Sequence, residues 1–300
     1  MADQGGLRAF QGAVAIVTGG ASGIGFALAR TMASRGAEVI LADRQGELAE
    51  RAAESIRAAS GRATAYEMDV TDPRAFQSAV DATVTRLGRL DYLFNNAGIG
   101  VGGEVRRHGL DDWTAILDVN LRGVIHGIQA AYPVMIGQGF GHIISTASVA
   151  AFVATPYLAA YGATKSAVLS LSKALRIEAE PHRVRVSALC PGVIRTPLLG
   201  GGVYGRLIDA PPKEVIAAVW ERLRPMDADR FAQLVLRGVE RNQAVIVVPG
   251  WWRLVGWLLG LCTSLELTVG RYGYRDLQRR IEAARKAAPG PDSAPPPPPR

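Results

Sequence analysis

Two cysteines in 300 residues, Cys190 and Cys262, supply neither a disulfide framework nor a metal-ligand cluster, and such usage fits a reducing compartment. The four histidines, His108, His126, His142 and His182, lie in no nucleophile elbow, which removes a Ser-His-Asp hydrolase reading. No apolar run reaches the ~20 uninterrupted residues of a membrane-crossing helix. Met1 to Gly12 carries no apolar stretch ahead of a small-residue cleavage site, so no secretory signal is expected. Net charge is also small over most of the chain. Of the net +7, the segment from residue 270 onward holds +4, with seven basic residues against three acids. The excess belongs to the tail and argues against nucleic acid as a partner.

What is present is an alternation of short apolar runs and helical patterns. Ala13–Val17, Glu38–Ala42, Ala63–Met68, Leu90–Phe94, His142–Thr146, Val184–Leu189 and Val245–Val248 read as buried strands. Helices are expected over Gly23–Ser34, Glu47–Ala59, from Asp72 as N-cap with Pro73 at the first helical position, Asp111–Gly137 and Tyr157–Ala179. This order predicts an α/β fold, a doubly wound, Rossmann-like parallel sheet of about seven strands with helices on both faces. Leu198–Pro212, rich in Gly and Pro, reads as a mobile loop. The division expected is a dinucleotide-binding and catalytic domain over 1–250, a helical extension over 251–286, and a disordered tail over 287–300, where seven of fourteen residues are proline.

The first strand runs into Thr18-Gly19-Gly20-Ala21-Ser22-Gly23-Ile24-Gly25 and then a helix. Glycines allow a tight turn and close approach of backbone N–H groups to a pyrophosphate, and the helix N-terminus adds partial positive charge. The spacing Gly-x3-Gly-x-Gly differs from the commoner G-x-G-x-x-G fingerprint. Asp43 ends the second strand eighteen residues past Gly25, where a carboxylate can accept from ribose hydroxyls and repel a 2′-phosphate. NAD is therefore the expected cofactor. Arg44 beside it keeps NADP open, because a guanidinium can pair with a phosphate.

Tyr161 and Lys165 stand four apart on one helix face. An ammonium beside a phenol stabilises phenolate and brings a pKa of ~10 toward working pH, which suits proton exchange with a carbonyl or alcohol oxygen. Ser148, thirteen residues earlier, follows the fifth strand, where strand ends build ligand crevices, and its hydroxyl can orient the reacting oxygen. Asn120 sits inside a helical stretch that it fits poorly, which predicts a local kink and a bound water.

Together these residues resemble the compact single-domain branch of the short-chain dehydrogenase/reductase family. The likeness covers about Gly12 to Pro249. It takes in the Thr18–Gly25 turn, Asp69-Val70, Asn95-Asn96-Ala97-Gly98, Asn120, Ser148, Tyr161-x3-Lys165 and Pro191-Gly192-x3-Thr196, in family order. The resemblance implies Tyr161 as general acid/base, Ser148 as the polarising hydroxyl, and Lys165 as the group that lowers the Tyr161 pKa and holds the nicotinamide ribose. It implies Asn120 as anchor of a relay water. Gly19, Ser22, Gly23, Ile24, Gly25, Asp43 and Arg44 would hold the dinucleotide, with Asp69 and Val70 at the adenine and Asn96, Ala97 and Gly98 along the adenosine side. Ile194 and Thr196 would hold the carboxamide.

The expected function is hydride transfer between a nicotinamide cofactor and a secondary alcohol or ketone. The apolar Phe152, Val153, Pro156, Leu158, Leu198 and Leu199 point to a hydrophobic substrate. A non-catalytic NAD(H)-binding regulatory or scaffold protein is the alternative, disfavoured by the intact Ser148, Tyr161 and Lys165. An epimerase or dehydratase of the same fold would ordinarily need a larger C-terminal domain than this chain holds. The resemblance also suggests a homodimer or homotetramer, through helices opening at Asp111 and Tyr157. A cytoplasmic location is expected.

The likeness ends at Val247-Val248-Pro249-Gly250-Trp251-Trp252-Arg253. The segment 251–286 either docks on its own fold or a sister subunit, or makes a peripheral membrane contact, with Trp251, Trp252 and Trp257 at headgroup level and Arg271 to Lys286 facing anionic lipid.

Overall fold

A computed structural model describes residues 6–200, 204–208 and 213–287. The chain runs β1 (Val14–Thr18), α1 (Gly23–Ser34), β2 (Glu38–Asp43), α2 (Gly46–Ala58), β3 (Arg62–Glu67), α3 (Pro73–Leu87), β4 (Tyr92–Asn95) and β5 (Gly100–Gly102). It continues with α4 (Leu110–Leu117), α5 (Gly123–Gln138), β6 (Gly141–Thr146), α6 (Ala159–Ala179), β7 (Val184–Pro191) and β8 (Gly205–Leu207). It closes with α7 (Lys213–Arg222), α8 (Ala228–Glu240), β9 (Val245–Val248), α9 (Trp251–Gly260) and α10 (Thr263–Ala287).

Seven strands form one parallel sheet in the order β3-β2-β1-β4-β6-β7-β9, the doubly wound, Rossmann-like arrangement that the alternation predicts. The winding reverses between β1 and β4, and a crevice opens there beyond the carboxyl ends of the strands. The central strands are buried on both faces because helices cover both. In β1, Ala15 and Val17 pack toward α1 and α8, while Val14 and Ile16 pack toward α3 and α5.

Local chemistry sets the helix ends. The Asp72 carboxylate accepts from the Arg74 N–H at 2.8 Å, Pro73 opens α3, and Gly88 closes it at φ 74°. Asp227 accepts from the N–H groups of Asp229 and Arg230, both at 3.0 Å, to start α8.

The structure corrects several expectations. The helix expected over Asp111–Gly137 is interrupted by a π turn at Asp118–Arg122, centred on Asn120. The segment expected as a mobile loop contains β8, which pairs in parallel with β5, and Arg206 within it reaches the buried carboxylate of Asp112 at 2.9 Å. That pairing is long-range and leaves no local signal. α7 and α8 occupy a stretch where no helix was expected; α8 is amphipathic, burying Phe231, Ala232, Val235, Leu236 and Val239. The extension is two helices joined at Leu261–Cys262, and they pack on the chain's own cleft. The expected disordered tail lies, beyond Ala287, outside the described residues. Among the described residues, no helix is long and apolar enough to cross a membrane.

Candidate active site

The crevice is built on Thr18. At the end of β1 its hydroxyl accepts from the N–H groups of Asn96 and Ala97, at 2.9 and 3.0 Å, and donates to the Phe94 carbonyl at 3.3 Å. Asn96 returns a bond from Nδ2 to the Thr18 carbonyl at 3.0 Å. The ends of β1 and β4 are thereby locked across the switch point. Thr18 was not singled out from sequence as a site residue, because only the β1–β4 pairing reveals its partners.

A cavity of about 820 Å³ runs from this point along the strand ends. Its wall includes Gly19, Ser22, Gly23, Ile24, Asp43, Arg44, Asp69, Val70, Asn96, Ala97, Gly98, Ser148, Tyr161, Lys165, Ile194 and Thr196. Two nominated residues stand elsewhere. Gly25 lies beneath the turn, where a Cβ would fall 2.1 Å from the Gly19 carbonyl oxygen and 2.7 Å from Asn96 Nδ2, so its missing side chain serves packing. Asn120 is fully buried behind the wall. Its Oδ1 accepts from the Ile99 N–H at 2.8 Å and its Nδ2 donates to the Ile99 carbonyl at 3.0 Å, which fixes the loop after β4. Phe152, expected beside the pocket, packs instead against Gly256 of α9.

The turn is shaped for a large ligand. Gly19 and Gly23 hold φ of 63° and 55°, values that favour glycine, and Gly23 faces Thr196 closely. Asp43 accepts from the Ala21 N–H at 3.2 Å and the Gln45 N–H at 3.1 Å. Each carboxylate oxygen keeps a further lone pair for ribose hydroxyls. Asp69 is held by the Thr71 N–H and hydroxyl, both at 2.8 Å.

Tyr161 and Lys165 project from α6 and Ser148 follows β6. The Ser148 hydroxyl accepts from the Ala150 N–H at 3.1 Å. Burial pushes the Tyr161 phenol above its ordinary range, and hydrogen bonding with Ser148 works the other way. Lys165 donates to the Thr146 carbonyl at 2.8 Å, and burial drives its ammonium down to about 8. The phenol pKa is thus raised, against the expectation that Lys165 would lower it. The ammonium is turned to a carbonyl oxygen, and burial is the largest cause of the raised phenol. The Cys190 thiol nearby is pushed up to about 12 by burial, so it is no nucleophile at neutral pH.

Beyond Tyr161 the cavity is apolar. α7 contributes Val215, Ile216, Val219, Trp220 and Leu223, and the C-terminal helices contribute Trp252, Val255, Leu259, Val269 and Leu277. None of these was nominated from sequence as a cavity residue, and Trp252, expected at headgroup level, faces the cavity instead, since nothing local tells which face of a late helix meets an early strand end. Trp252 also packs on the turn after β7, where a Cβ on Gly192 would lie 2.5 Å from its Nε1. α10 is fastened to the main body by Glu266, which accepts from the Ala154 N–H at 2.7 Å, and by Tyr274, which donates to Glu104 at 3.1 Å.

A family model described as short chain dehydrogenase matches residues 13–201. An uncharacterized oxidoreductase of Listeria innocua is 40% identical over 236 residues, 78% of this chain and 93% of the relative. The 1-deoxy-11-beta-hydroxypentalenate dehydrogenase of Streptomyces avermitilis is 38% identical over 228 residues, 74% of this chain and 83% of the relative. The crystal structure of a short chain dehydrogenase/reductase from Burkholderia phymatum in complex with NAD is similar with a TM-score of 0.77 at 30% identity, covering 86% of this chain and 96% of that one.

Proposed function

The chain belongs to the short-chain dehydrogenase/reductase family and is an oxidoreductase of that family; from that premise we propose that it interconverts a hydrophobic secondary alcohol and its ketone, with Tyr161 as general acid/base. The observation that carries this reading is the convergence of Ser148, Tyr161 and Lys165 on one cavity that continues into an apolar chamber. A purely regulatory dinucleotide binder has no use for a phenol set beside Ser148 and Lys165 at the mouth of that chamber.

A nicotinamide dinucleotide suits the other end. The left-handed glycines at 19 and 23, the N-terminus of α1 and the carboxylate of Asp43 form a cradle with donors for phosphate and acceptors for ribose. Gly19, Ser22, Gly23 and Ile24 would hold the pyrophosphate, and Asp43 the adenosine ribose. Asp69, Val70 and Asn96 to Gly98 would line the adenosine side, and Ile194 and Thr196 the carboxamide. Asp43 favours NAD over NADP. When bound, the cofactor supplies or takes the hydride.

The protein's part is proton management and orientation. The raised phenol pKa keeps the proton on Tyr161 Oη at neutral pH, the form that can protonate a carbonyl oxygen. The Ser148 hydroxyl shares that oxygen and fixes its direction. Lys165 is still mostly an ammonium at neutral pH and can hold the nicotinamide ribose from beneath. Asn120 anchors the Ile99 backbone, and its π turn loosens the carbonyl ladder where a relay water would bind.

We place the enzyme in the cytoplasm as a homodimer or homotetramer joined through α4, α5 and α6, where Leu117, Ile125 and Ile177 are exposed. The segment 251–286 is its candidate membrane contact. Tyr161→Phe tests the central role. Reduction of a hydrophobic ketone panel by NADH should fall by about 10²–10⁴ while NADH affinity by titration stays unchanged; full turnover in the variant would remove Tyr161 from the chemistry.

A further inference from the structure

α9, Trp251-Trp252-Arg253-Leu254-Val255-Gly256-Trp257-Leu258-Leu259-Gly260, carries one charged residue. At about 100° per residue, Trp252, Val255, Gly256 and Leu259 share one side, and Leu254, Trp257 and Leu258 the other. The first side meets the molecule: Trp252, Val255 and Leu259 line the cavity and Gly256 meets Phe152. Among the described residues, the second side stays largely exposed. Leu254 is 59% exposed and Trp257 61%, and Leu261 just past the helix 66%. A helix apolar all round normally has both sides covered.

The neighbouring surface suggests the cover. On α10, Leu265, Tyr272, Arg271, Arg275 and Arg279 fall on one side and all are exposed. Of the acids of this helix Glu266 turns away, whereas Asp276 and Glu282 share the arginine side. Glu266 is bound to the Ala154 N–H, Asp276 is paired with Arg280 and Arg222, and Glu282 stands beyond the arginine row. Aromatic and leucine side chains flanked by exposed arginine heads are the composition of an interfacial helix on anionic lipid. At about 15 Å, α9 is half the ~30 Å hydrocarbon thickness, so it can lie in the surface but not cross.

We propose that the outer side of α9, with the arginine row of α10, seats on the surface of an anionic lipid bilayer, and that the cavity on the inner side of the same helix takes its apolar substrate from that bilayer. The second half rests on the oxidoreductase reading above. One ten-residue helix then separates two apolar environments, and the substrate need not cross bulk water between them.

Full-length protein is sedimented with phosphatidylcholine vesicles, with and without phosphatidylglycerol. Binding should appear with the anionic vesicles, weaken with salt, and fall about tenfold or more in Leu254→Glu/Leu258→Glu. Neither residue lines the cavity, so turnover of a short water-soluble ketone should be unchanged in that variant. Turnover of a long-chain ketone dissolved in the vesicles should fall with binding. Trp257→Ser is the milder second variant, should one carboxylate pair perturb folding. Failure of the unaltered protein to sediment with either vesicle overturns the proposal. So does a drop in solution mass of either variant without lipid, because the face then covers a second copy. Loss of all ketone turnover in the unaltered protein would sink the oxidoreductase reading instead, and sedimentation would still decide the membrane contact.

Discussion

Lys165 Nζ stands 5.5 Å from the centroid of the Tyr161 ring while its hydrogen bond goes to the Thr146 carbonyl. The ammonium is therefore held over the face of the phenol, within reach of its field, but satisfied by the backbone. Lys165 is buried and Tyr161 partly so, and each is shifted toward its neutral form.

That arrangement costs stability in a pH-dependent way. The Lys165 pKa is lowered from 10.5 to about 8. Between those values the unfolded chain takes up a proton that the folded chain refuses, so stability falls as pH drops from about 10.5 to about 8 and levels below. Lys165→Met should flatten this slope and raise stability near neutral pH by roughly 1 kcal/mol, after loss of the bond to Thr146. It should also lose turnover. Urea unfolding across pH checks it; an unaltered slope would assign the effect to another group.

His142 predicts the acid limb. It is fully buried between β4 and β7, hydrogen-bonded to Ser187 at 2.8 Å, and its pKa is lowered to about 3, by burial first and then by Arg185 and Arg176. The unfolded histidine titrates near 6.5, so stability should decline as pH falls from about 6.5 toward 3, by a few kcal/mol in order of magnitude. His142→Gln should shift the acid unfolding midpoint downward in a circular dichroism titration.

Gly25 and Gly23 should fail differently. A Cβ on Gly25 meets backbone 2.1 Å away, which cannot yield, so Gly25→Ala should lower Tm by roughly 5–10 °C. A Cβ on Gly23 meets the Thr196 side chain at 3.3 Å and Pro197 Cδ at 3.8 Å, but at a left-handed φ, so Gly23→Ala should cost about 1 kcal/mol and weaken NADH binding more than folding. Differential scanning fluorimetry with and without NADH separates the two; equal Tm losses would contradict the distinction.

Asp43 should decide between the two cofactors. Asp43→Ser removes the carboxylate beside Arg44 and should move the ratio of kcat/KM for NADH over NADPH toward NADPH by about tenfold or more. A ratio that stays put would show that discrimination lies elsewhere in the turn.

The sequence announces some elements through local chemistry. Pro73 after Asp72, Gly88 after Leu87, and unbroken apolar runs such as Val14–Val17 carry their structure in neighbouring residues. Asn120 signals a break in its helix because an amide side chain competes with the backbone, and the π turn is that break. The β5–β8 pair gives no such notice: its strands are three residues each and over a hundred positions apart. α7 and α8 escape for a related reason, as their apolar faces are legible only once the surfaces they cover are known.

By itself the sequence determined the sheet and its parallel winding, because periodicity and spacing act over a few residues. Tertiary structure alone decided that Gly25 packs closely beneath the turn, that Thr18 ties the two halves of the crevice, and that the last two helices fold back to wall the chamber. Those outcomes depend on which surfaces meet across long loops. An apolar face specifies that it must be covered, but not by what.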